Sequence, residues 1–62
     1  MATAAATFQQ AWRIGRQVQE LAAPHRKGSI RVRIGTGASA TIIVNIPGGH
    51  PVSFRPAQLR LL

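Results

Sequence analysis

The stretch Gly15-Arg-Gln-Val-Gln-Glu-Leu-Ala22 decides the fold, because it reads either as the end of a helix or as a strand. Phe8, Ala11, Trp12, Gly15, Val18 and Ala22 recur at helical spacing, with Arg13, Arg16, Gln17 and Glu20 on the opposite side. Thr7 followed three residues later by Gln10 fits a capping box, and Pro24 would stop a helix begun there. Against this, Gly15 inside a helix costs about 1 kcal/mol relative to Ala. Read as a strand, the segment turns Val18 inward and Gln17 and Gln19 outward. The remainder of the chain favours the strand.

Downstream of the loop Ala22-Ala-Pro-His-Arg-Lys-Gly28 the period becomes two. Ile30, Val32 and Ile34 alternate with Ser29, Arg31 and Arg33, as in a half-buried strand. Gly35-Thr-Gly-Ala-Ser39 is turn-rich, and Thr41 to Ile46 is a β-branched run broken only by Asn45. After Pro47-Gly-Gly-His-Pro51, Val52 and Phe54 face inward while Ser53 and Arg55 face out. Pro56-Ala-Gln-Leu59 fits one 3₁₀ turn, and Arg60-Leu61-Leu62 follows. The expected centre of packing is Ile30, Val32, Val44, Phe54 and Leu59.

Short strands, tight turns and a one-turn helix before a last short strand predict an all-β fold. It is a small five-stranded SH3-like barrel over residues 15–62, behind an N-terminal extension, 1–14, that is helical from Phe8 if at all. Closing the sheet would protect the edges that a free sheet exposes. Should the helix run to Ala22, the fold becomes α+β, one N-terminal helix on a three- to four-stranded antiparallel sheet.

At 62 residues the chain is one domain at the lower edge of independent folding. Such a chain buries only about 60% of its unfolded surface, so a homo-oligomer or a place in a larger complex is an open expectation. It has no cysteine, which removes disulfides, thiolate metal sites and thiol catalysis. A cytoplasmic location fits that composition best. No apolar run approaches the ~20 residues that span a bilayer, and Met1 to Ala6 lacks the basic region of a secretory leader, so no membrane partner is expected.

Charge is the strongest signal. Eight Lys and Arg stand against one acid, Glu20, for a net +7. Seven of the eight are arginine, whose planar fork suits phosphate and carboxylate. The pattern predicts Arg31 and Arg33 side by side on one strand face, Arg55 and Arg60 outside the late strands, and His25-Arg26-Lys27 as a basic loop. Arg26, Lys27, Arg31, Arg33, Arg55 and Arg60 are therefore the candidate contacts to nucleic-acid phosphates, with little sequence discrimination. Tyrosine is absent and Phe54 alternates inward, which leaves no obvious platform for stacking bases. Phe8 and Trp12 are expected to cover the open end of the barrel or to dock on a partner. A structural subunit seated on an acidic protein surface is the alternative function.

No catalytic residue or metal ligand is assigned, and no cofactor is expected. A lone carboxylate cannot form the paired arrangements of glycosidases or aspartic proteases. His25 and His50 lie in turns without a third ligand. Gly35-Thr-Gly-Ala-Ser39 lacks the Gly-Lys-Ser/Thr ending of a phosphate loop. The expectation is a protein that is not an enzyme.

At Gly15-Arg-Gln-Val18, Gly28-Ser-Ile30 and Val52-Ser-Phe-Arg-Pro56 the chain resembles the plasmid-encoded, trimethoprim-resistant dihydrofolate reductases. Those are tiny SH3-like barrels that work as tetramers around one pore. The glycine spacing matches, and His50-Pro51 precedes the late strand as in that family. The resemblance implies the fold, and leaves a divergent pore-type dihydrofolate reductase as a remote alternative function. Ser53, Phe54 and Arg55 stand where the family has Gln-Ile-Tyr, and Glu20 stands where it has a pore-lining lysine.

Overall fold

A computed structural model describes residues 4–62, so Met1 to Thr3 of the expected extension lie outside the described residues. The elements in order are helix α1 (Ala4–Ala11) and strands β1 (Gln17–Glu20), β2 (Lys27–Ile34), β3 (Thr41–Asn45), β4 (Val52–Phe54) and β5 (Leu59–Leu61). One-turn 3₁₀ helices at Gly37–Ser39 and Pro56–Gln58 precede β3 and β5. All pairings are antiparallel, in the order β4-β3-β2-β1-β5. The fold is thus mostly β, five strands in one sheet with one short helix.

Residues 17–20 form a strand, and the helix stops well short of Ala22. Gly15 sets that boundary. Its φ is +91°, a conformation that L side chains rarely adopt, and its N–H donates to Ile30 O at 2.7 Å. The helix starts earlier than the Thr7 capping box implied. Ala4 to Ala6 are good helix formers, so Thr7 sits inside the helix and not at its cap.

The core is Val18, Ile30, Ala40, Ile42, Val44, Phe54 and Leu59. Val18 and Gly28 face each other across β1 and β2, and Gly28 is there because nothing larger fits. A Cβ on it would stand 2.2 Å from Asn45 O and 2.8 Å from the Val44 side chain. Both ends of the sheet reach the core, through Phe54 of β4 and Leu59 of β5. No ladder joins β4 to β5 among the described residues, so the expected closure by pairing does not occur.

The strict alternation expected along β2 fails at one point. Ile30 pairs with Val44 but Val32 pairs with Ile43, so Arg31 is an extra residue opposite a continuous β3. This β-bulge inverts the phase of the strand. Val32 and Ile34 turn outward, 36% and 57% exposed, beside half-buried Ile43, and Val32 leaves the core it was expected to join. Arg33 takes the core phase, opposite buried Ile42.

There it meets the helix. Its Nη1 donates to Gln9 O at 3.3 Å and Trp12 O at 3.2 Å. Arg13 Nη1 donates to Gln10 O and Arg16 Nη1 to Ala11 O, at 3.4 and 3.5 Å, and Trp12 N–H donates to Phe8 O at 2.9 Å. Every carbonyl that a helix leaves unpaired in its last turn is therefore taken here, three of the four by arginine, whose charge also suits the negative end of the dipole. Phe8 and Trp12, stacked with centroids 5.9 Å apart, rest against the core.

The two glycines act by different physics, and both should resist substitution. Gly28→Ala is expected to cost about 1–3 kcal/mol or more by overpacking against backbone. Gly15→Ala has open space around it yet is strained by its φ, and should cost more than about 1 kcal/mol. Chemical denaturation of both variants checks this. In the same series Ile30→Ala should lose about 2–5 kcal/mol, and Val32→Ala no more than about 1. Equal losses at 30 and 32 would contradict the bulge.

Candidate nucleic-acid interface

The six expected phosphate contacts divide into two groups in the structure. Arg26, Arg33 and Arg55 are engaged within the chain. Arg26 Nη1 lies 3.1 Å from Glu20 Oε2, the one carboxylate of the chain's side chains. Arg33 holds α1 as described, so it does not stand beside Arg31 on a common outer face, because the bulge separates them. Arg55 Nη1 donates to Ser39 O, to Ala40 O at 3.3 Å and to Thr41 Oγ1 at 3.2 Å, bracing the start of β3.

Lys27, Arg31 and Arg60 are exposed, and their side chains have no hydrogen-bond or ion-pair partner among the described residues. Two of them are in register. Gln19 of β1 pairs with Lys27 on one side and with Arg60 on the other. Val18, next to Gln19, is 1% exposed on the core side, so the row Arg60–Gln19–Lys27 lies across the solvent face of β5, β1 and β2. The two cations stand two strand spacings apart, about 10 Å at the backbone. Gln19 is held in turn, its Nε2 donating to Pro24 O at 2.7 Å, which braces the loop before Lys27.

The neighbouring row on that face, Gln17, Ser29 and Asn45, is polar and uncharged. Arg31 follows it along β2, on the bulge. The face thus carries cations and neutral donors, while Glu20 has core-face parity with Val18 and is already paired to Arg26. His25 and His50 are exposed, and the described residues contain no cluster able to hold a metal ion. Among them too, no helix is long and apolar enough to cross a membrane.

Phe8 and Trp12, expected to cover the barrel end or to dock on a partner, are half-buried against the chain's own core. The sequence pattern did place Gln19 and Arg60 outward, but it put Lys27 in the basic loop, whereas Lys27 opens β2. What it missed was their alignment, which depends on the pairing register of three strands, and the structural roles of Arg13 and Arg16. Comparison of the chain with family models, with curated proteins and with solved structures gives no match.

Proposed function

We propose that this chain is a small non-catalytic module that binds nucleic-acid phosphates with little sequence specificity. The observation that carries this reading is the in-register row of cations with unpartnered side chains, Lys27 and Arg60, on a face with no side-chain carboxylate. The net charge of +7 adds long-range attraction for a polyanion. Arg31 extends the row along β2. Side chains rooted on paired strands are held at fixed spacing, and their flexible stems let each reach a phosphate. The absence of tyrosine and the internal packing of Phe8, Trp12 and Phe54 favour contacts to backbone over stacked bases.

The finer reading of the fold is an SH3-like barrel related in architecture to the trimethoprim-resistant reductases. The strand order and the 3₁₀ turn before β5 support it. A cytoplasmic setting, where nucleic acid is accessible, accords with this function. The alternative of a docking subunit on an acidic protein is supported by one observation, the outward Val32 and Ile34 beside Ile43, an apolar strip that adjoins the exposed Arg31.

Titration of single- and double-stranded DNA and RNA at several salt concentrations tests the proposal. Lys27→Gln with Arg60→Gln should lower the slope of log affinity against log salt by roughly 2, and adding Arg31→Gln by roughly one more. Melting temperatures should barely change, since none of the three side chains makes an internal bond. A parent chain that binds no nucleic acid even at low salt would overturn the reading in favour of the docking subunit.

A further inference from the structure

A small cleft lies between the β3–β4 pair and the 3₁₀ turn before β5, on residues distinct from the Lys27–Arg60 row. It is lined by Thr41, Ser53, Phe54, Arg55 and Gln58 and has a volume of about 180 Å³. That is below the roughly 300 Å³ at which pockets begin to take drug-sized ligands, and ample for one tetrahedral oxyanion. Phe54, 7% exposed, anchors this lining in the core.

The polar groups in the cleft share one property: each has at least one donor still free. Arg55 Nη1 is occupied by Ser39 O, Ala40 O and Thr41 Oγ1, while its Nε and Nη2 donate to nothing among the described residues. Thr41 Oγ1 accepts from Arg55, which leaves its own proton to give. Gln58 Oε1 accepts the Arg55 backbone N–H at 2.7 Å, fixing the amide so that its NH₂ is the free end. Ser53 Oγ has no partner among the described residues. No carboxylate lines the cleft.

We infer that this cleft is a binding site for a single phosphate group, held by the Arg55 guanidinium together with the Thr41 and Ser53 hydroxyls and the Gln58 amide. A guanidinium already braced on one side loses little rotamer freedom on binding, and charge-assisted bonds to an oxyanion are the strong kind. The phosphate is either free or the terminal phosphate of a strand. Only the second source rests on the nucleic-acid reading.

The full chain, labelled with ¹⁵N, is titrated with inorganic phosphate at constant ionic strength, with chloride as control. The expected result is saturable shifts at the side chains of Arg55 and Gln58 and the amides of 53–58, absent with chloride. Ser53→Asp puts a negative charge in the cleft without touching the Arg55 brace. It should weaken phosphate binding more than tenfold while leaving the melting temperature within a few degrees. A second arm compares 5′-phosphorylated and 5′-hydroxyl oligonucleotides of one sequence. A severalfold gain from the terminal phosphate, lost in Ser53→Asp but kept in Lys27→Gln/Arg60→Gln, assigns the strand end as the source. Saturable inorganic phosphate shifts without that gain assign a free phosphate. Shifts spread equally over Lys27, Arg31 and Arg60, or unaffected by Ser53→Asp, would overturn the site.

Discussion

One extra residue in β2 sets most of the architecture. Without Arg31 opposite a continuous β3, period-two alternation would carry Val32 and Ile34 into the core and Arg33 out to solvent. With it, the strand delivers a guanidinium to the rim of the core, where the C-terminal carbonyls of α1 need donors. A helix of eight residues is too short to persist on its own propensity in water. Its stability must come from docking, and Arg33, Arg13 and Arg16 supply the polar half of that docking. Phe8 and Trp12 supply the apolar half. The helix in turn covers a core of only seven buried side chains, which a domain of this size can ill leave open.

The arginine content therefore has two physical origins. Four of the seven arginines donate to main-chain carbonyls: Arg13, Arg16 and Arg33 at the helix end and Arg55 at the start of β3. Arg16 also ties the last residue down, its Nε donating to Leu62 O at 3.0 Å. Planar forks with several donors suit this work, since one side chain can reach two carbonyls at once, as Arg16, Arg33 and Arg55 do. Arg26 neutralises Glu20 in an exposed pair of the kind worth little to stability. The cations left over, Lys27, Arg31 and Arg60, are those with no structural employment. High charge alone did not separate the two groups, and the bonding pattern does.

Much of the fold was legible because local rules and burial agree. Gly15 marked the end of the helix, β-branched runs marked β2 and β3, and Pro56 marked the 3₁₀ turn. Ile30, Val44, Phe54 and Leu59 are buried as expected, the first and third by strict alternation. The failures have physical causes. A bulge leaves no signature in a strand whose residues still alternate apolar and charged, so Val32 was placed inside and Arg33 outside. Ala40 sits at the end of a turn-rich stretch where no alternation marks it, while Ile42 shares the phase of Val44 and belongs with it in the core. The row Arg60–Gln19–Lys27 and the cleft at Arg55 join residues far apart in the chain, and no local pattern encodes such registers.

Arg33 is the link between strand and helix, and Trp12, the chain's one tryptophan, reports on it directly. Arg33→Gln keeps a polar side chain in the strand but is too short to span to the helix carbonyls. Trp12 fluorescence should shift to the red and become more accessible to acrylamide. Amides 8–12 should exchange as fast as in unfolded chain, while those of Val18, Ile30 and Val44 stay protected. Unchanged Trp12 emission with undiminished protection of α1 would contradict the account, since the helix would then be held by Phe8 and Trp12 alone.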